Sequence, residues 1–153
     1  MERTIRRSAP LRGQRVLIVE DDALILMELE AVLQDAGVVV ARSCRSIDEA
    51  LDAAVQGGFD VAILDFGLRD QTAAPVARAL ASAGIPFFFY TGQVDGDPRL
   101  DEWRGRTMVP KPAPPAQITG ELARLVSGGS RRTAEDAEEY HSAMSLAASV
   151  VFR

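Results

Sequence analysis

Four short, unbroken apolar runs constrain this chain more than any other feature: Val16-Leu17-Ile18-Val19, Val38-Val39-Val40-Ala41, Val61-Ala62-Ile63-Leu64 and Phe87-Phe88-Phe89-Tyr90. A strand with one wet face alternates apolar and polar residues. A continuous run instead predicts a strand covered on both faces, the condition of a parallel sheet between helical layers. A weaker fifth run, Thr107-Met108-Val109, comes just before Pro110.

Helical patterns fill the intervals. Ile25, Leu29, Val32, Leu33 and Ala36 share one helical face, and Gly37 stops that helix. Ser46 and Glu49 have the spacing of a capping box, opening a second helix that ends at Gly57-Gly58. A third runs from about Ala73 to Ala83, with Thr72 as its N-cap and Gly84 after it. Asp95-Gly96-Asp97-Pro98 and Gly105 leave room for only a turn or two around Leu100 and Trp103, and a last helix spans about Ala116 to Val126. Strand followed by helix, repeated along the chain, predicts an α/β domain with right-handed crossovers and helices on both faces.

With 153 residues the chain fits one such domain, expected over residues 14–127. Residues 1–13, with Arg3, Arg6, Arg7 and Arg12, read as a flexible basic arm. Residues 128–153 read as a hinge, Ser127-Gly128-Gly129-Ser130, leading to an extra helix from Thr133 to about Val151 with Ala137, Tyr140, Met144, Ala147 and Val151 on one stripe. A net charge of −5 argues against nucleic acid as a partner, and Arg131-Arg132 reads as a solvated pair. No apolar run is long enough to span a membrane, and the N-terminus lacks the apolar segment of a secretory signal. The lone Cys44 cannot form an internal disulfide, which fits a cytoplasmic location. His141, the one histidine, reads as a surface residue; Trp103 reads as packing, and Phe87 to Tyr90 as core strand.

Ligands of an open parallel sheet bind beyond the carboxyl ends of its strands, where the strand order reverses. There the first strand delivers Glu20-Asp21-Asp22, the third Asp65, the fourth Thr91 and the fifth Lys111-Pro112. If the first and third strands are neighbours, three carboxylates converge, and they repel unless a cation lies among them. A hard divalent ion with oxygen ligands meets that need, which points to Mg²⁺. One carboxylate oxygen then remains as nucleophile, with Thr91 and Lys111 placed to receive a phosphoryl group.

This pattern resembles the receiver domain of bacterial two-component response regulators, in the motifs RVLIVEDD, VAILD, FFFYTG and VPKP between about Arg15 and Val126. The resemblance implies a flavodoxin-like doubly wound (βα)5 fold with strand order 2-1-3-4-5. It makes Asp65 the phosphoacceptor, Glu20 and Asp21 the acidic pair, Thr91 the switch hydroxyl and Lys111 the phosphate-binding lysine. Glu20, Asp21, Asp65 and the backbone carbonyl of Gly67 would hold Mg²⁺, and Lys111-Pro112 would be cis. Two positions depart from the family: Arg69 stands where Pro is usual, and Met108 replaces the switch aromatic. Thr91-Gly92 with a short fourth helix looks like a subgroup of single-domain receivers.

The resemblance thus implies a phosphoacceptor rather than an enzyme. A sensor histidine kinase or histidine phosphotransfer protein would be its donor. The chain would act as a conformational switch, relay or phosphate sink toward a downstream protein, as a monomer or as a homodimer through the last helix. A degenerate receiver acting as a phosphorylation-independent interaction module is one alternative. The other is an Asp-nucleophile, Mg²⁺-dependent phosphatase, which commonly needs a second Asp where Gly67 stands.

Overall fold

The computed structural model describes residues 11–92 and 96–128. Five parallel strands form the main sheet: β1 (Arg15–Val19), β2 (Val39–Cys44), β3 (Val61–Leu64), β6 (Phe87–Thr91) and β7 (Met108–Pro110), in the order β2-β1-β3-β6-β7. Two further strands, β4 (Gly67–Leu68) and β5 (Gln71–Thr72), form a small antiparallel hairpin between β3 and the next helix. Without that hairpin the order is the expected 2-1-3-4-5. The helices are α1 (Ala23–Asp35), α2 (Ile47–Gln56), α3 (Ala74–Ser82) and α4 (Pro115–Ser127), with a 3₁₀ helix at Pro98–Trp103.

The continuous apolar runs are explained by the two cores. Leu17, Val19, Ala62, Leu64, Phe87 and Phe89 face α2, α3 and the 3₁₀ helix. Their neighbours Val16, Ile18, Val61, Ile63, Phe88 and Tyr90 face α1 and α4. Each strand residue is buried whichever way it points, so the period of two leaves no polar trace. Trp103 packs edge-on against Phe87 and Phe89, with centroids at 6.0 and 5.9 Å, as expected of a packing residue.

The second run departs from expectation. β2 lies at the sheet edge and starts at Val39, whose side chain is exposed, and it continues through the polar Arg42 and Ser43. Having only β1 as a neighbour among the described residues, it is covered less completely than the central strands. Its register against β1 also slips by one residue at Ala41.

Local signals fix most helix ends. Asp22 caps α1 by accepting from the amides of Leu24 and Ile25, and Gly37 follows the helix at φ +81°. Ser46 Oγ accepts from the Glu49 amide at 3.2 Å, but Glu49 returns its bond to the amide of Arg45 rather than of Ser46. The N-cap position of α3 is Ala73 rather than Thr72, although Thr72 Oγ1 still accepts from the first helical amide, that of Ala74, at 3.4 Å. Pro75 in the first turn removes a further donor, since Pro has no N–H to leave unpaired.

Leu11 is buried against the α1–α4 core and the Gly13 amide donates to Gly37 O at 3.0 Å, so residues 11–13 belong to the packed domain rather than to a free arm. The remainder of the expected arm, Arg131-Arg132, His141 and the stripe from Thr133 to Val151 lie outside the described residues. Among the described residues no helix is long and apolar enough to cross a membrane.

Candidate functional site: an acidic cluster bridged by a lysine

The sheet positions the site through its last backbone bonds. Glu20 N–H donates to Cys44 O at 2.9 Å, Asp65 N–H to Val19 O at 2.8 Å and Lys111 N–H to Thr91 O at 3.1 Å. Each residue follows the end of its strand but is still tied to the neighbouring one, so its side chain leaves a backbone that cannot drift. Thr91 closes β6 and is 1% exposed, beside β3 on one side and β7 on the other.

Glu20, Asp21 and Asp65 each bring a carboxylate oxygen within 4.8 Å of the others. Glu20 and Asp65 are buried, whereas Asp21 is half-exposed. The Lys111 ammonium bridges the two buried groups, 2.8 Å from Asp65 Oδ2 and 2.5 Å from Glu20 Oε1. The short contact with Glu20 joins an ammonium to a buried carboxylate oxygen as an ion pair. Glu20 Oε2 accepts from the Asp22 amide at 3.2 Å.

Burial pushes the Glu20 carboxyl up to about 7, with Lys111 pulling the other way and the Asp65 charge adding to the rise. Burial alone would lower the Lys111 ammonium, but its contacts with Asp65 and Glu20 outweigh that and hold it above its ordinary value. With Glu20 ionised, three carboxylates face one ammonium, an excess of two negative charges. A divalent cation cancels that excess, and the all-oxygen donor set suits a hard one.

The sites expected from sequence thus meet at one end of the sheet. Gly67 opens the hairpin two residues after Asp65. Buried Phe66 anchors the hairpin, its ring 5.6 Å from that of Phe89 and its carbonyl accepting from the Ala73 amide. The Lys111-Pro112 bond is cis, as the resemblance implied. Beyond it the Ala113 amide donates to the Tyr90 hydroxyl at 3.3 Å, holding the loop after Lys111.

Sequence reasoning missed two residues here. The Arg45 guanidinium donates to the backbone carbonyl of Asp21 through Nε at 3.3 Å and Nη2 at 3.1 Å. The Arg69 amide donates to Asp21 Oδ2 at 3.1 Å. Nothing in the spacing of Arg45 marked it. Arg69 was visible only as a departure from the family's usual Pro.

A parallel sheet of this order, carrying an acidic cluster and a lysine at its carboxyl edge, defines a receiver-type α/β signalling domain. The chain belongs to the response regulator receiver domain family, whose model matches residues 16–122. SdrG from Sphingomonas melonis Fr1, solved in solution, is 37% identical with a TM-score of 0.65, the match covering 74% of this chain and 97% of SdrG. The non-phosphorylated receiver domain of HemR from Leptospira biflexa is 27% identical with a TM-score of 0.67, covering 79% of this chain and 99% of that domain. The virulence transcriptional regulatory protein PhoP of Salmonella typhimurium is 37% identical over 73 residues, 46% of this chain. The match spans 31% of PhoP, so the likeness concerns less than a third of that protein.

Proposed function

We propose that the chain is a phosphoacceptor switch that takes a phosphoryl group onto Asp65 from a histidine kinase or histidine phosphotransfer protein. The observation that carries this reading is the Lys111 bridge: one ammonium between two buried carboxylates, with a third carboxylate beside them. Glu20, Asp21, Asp65 and the Gly67 carbonyl would hold Mg²⁺, which when bound supplies positive charge to the phosphoryl oxygens.

The protein's own groups do the rest. An Asp65 carboxylate oxygen attacks phosphorus and the phosphorus–nitrogen bond of the donor phosphohistidine breaks. An acyl phosphate forms, and the imidazole leaves with the bonding electron pair. Lys111 is free to exchange Asp65 Oδ2 for a phosphoryl oxygen, keeping an ammonium beside the charge as it moves. Thr91, held at the end of β6, offers a hydroxyl donor to the same group.

The surface beside the site supports a helical protein partner. Leu24 and Met27, one turn apart on α1, are each 66% exposed. Next to them Ile25, Val32, Ala113, Pro115 and Ile118 line an apolar groove between α1 and α4. A helix carrying the donor histidine could lie against these side chains with its imidazole over Asp65.

The experiment is uptake of Mg²⁺ and beryllofluoride, a phosphoryl mimic, followed by fluorine and amide NMR. Bound fluorine signals that require Mg²⁺ and vanish in Asp65→Ala are expected. A chain that takes up neither ion is an interaction module instead.

A further inference from the structure

The hairpin between β3 and α3 has strands of two residues each, Gly67 pairing with Thr72 and Leu68 with Gln71. Strands this short do not hold themselves together. Buried Phe66 and Leu68 and the bond from the Ala73 amide to Phe66 O fix the hairpin to the domain. Arg69 and Asp70 close it, and Arg69 takes φ +54°, the one positive value at a non-glycine position among the described residues. A backbone conformation that L residues seldom adopt needs a reason in the fold.

The Arg69 amide supplies one, since it meets Asp21 Oδ2 at 3.1 Å across 48 residues of sequence. Asp21 is the least buried of the three clustered carboxylates and has no contact with Lys111 to hold it. Its main chain is gripped separately, by Arg45 on its carbonyl. Two arginines from two loops therefore fix the two ends of one aspartate, one through its guanidinium and the other through its backbone amide.

We propose that the 67–72 hairpin is a positioning device for a cation ligand: the Arg69 amide orients the Asp21 carboxylate and leaves its other oxygen, Oδ1, for the metal. The role belongs to the backbone of residue 69, so it requires an N–H and tolerance of positive φ, not a guanidinium. The inference rests on the reading of the cluster as a cation site.

Two substitutions separate amide from side chain. Arg69→Gly keeps the N–H and adopts positive φ freely, whereas Arg69→Pro loses the N–H and is confined to negative φ. Calorimetric Mg²⁺ titration should place Arg69→Gly within about twofold of wild type and Arg69→Pro at least about tenfold weaker, the usual effect of losing a bond that orients a metal ligand. Equal binding by wild type and Arg69→Pro overturns the proposal, as does a Gly variant as weak as the Pro variant.

A second measurement uses no metal. In EDTA the Arg69 amide should exchange with solvent at least about tenfold more slowly in wild type than in Asp21→Ala, which removes its acceptor. Equal rates overturn the clamp even if Arg69→Pro does not fold. Absence of Mg²⁺ binding by wild type defeats the cation reading instead, and the exchange rates then still decide whether the clamp exists.

Discussion

Lys111 Nζ lies 2.8 Å from Asp65 Oδ2, and the same ammonium touches Glu20, so a single lysine bridges two carboxylates that the sheet forces together. Breaking a buried ion pair on one side leaves the other charge stranded, which costs more than the pair contributes.

Lys111→Met should therefore destabilise the metal-free domain by about 2 kcal/mol, below the usual range for a fully buried pair because the lysine side chain is 16% exposed. Urea denaturation in EDTA measures this. Added Mg²⁺ should return part of the loss, because a cation again sits among the carboxylates. A variant as stable as wild type in EDTA would mean that the bridge contributes nothing.

Glu20 gives the metal-free domain an unusual pH profile. Its carboxyl rises from 4.5 to about 7 on folding, so between those values the folded state holds a proton that the unfolded chain has released. The Glu20 contribution to stability then falls as pH rises through this window, by at most about 3 kcal/mol, opposite to the ordinary carboxylate. Denaturation at pH 5 and pH 8 in EDTA should show the fall in wild type and not in Glu20→Gln. A flat or rising wild-type profile would contradict the burial argument.

Trp103 closes the aromatic cluster on the α2–α3 side of the sheet, and its indole Nε1 is buried without a hydrogen-bond partner among the described residues. Its contribution is thus packing rather than a polar bond. Trp103→Ala should cost about 3–5 kcal/mol, and Trp103→Phe, which keeps most of the ring contact, about 1–2 kcal/mol. Equal losses in both variants would point to a role for the indole N–H.

The sheet was legible because burial on both faces erases the alternation of a strand, and the runs at Val16, Val61 and Phe87 carried that mark. The edge strand was misjudged for the same physical cause: covered less completely, β2 continues through the polar Arg42 and Ser43, past the apolar run that ends at Ala41. The placement of Glu20, Asp65, Thr91 and Lys111 at one edge of the sheet was legible because strand ends point where ligands bind, a rule about topology that needs no coordinates. The hairpin was hidden. Two-residue strands leave no periodicity, and Arg69 acts through an amide that every non-proline residue has. Arg45 was hidden too, since its target is a backbone carbonyl with no sequence signature.

The central claim is that Asp65 carries the phosphoryl group, and intact-mass spectrometry after incubation with acetyl phosphate and Mg²⁺ tests it most directly. One added phosphoryl group is expected on wild type, lost when EDTA replaces Mg²⁺ and absent from Asp65→Asn. The same single addition on Asp65→Asn, or none on wild type in the presence of Mg²⁺, would contradict the account.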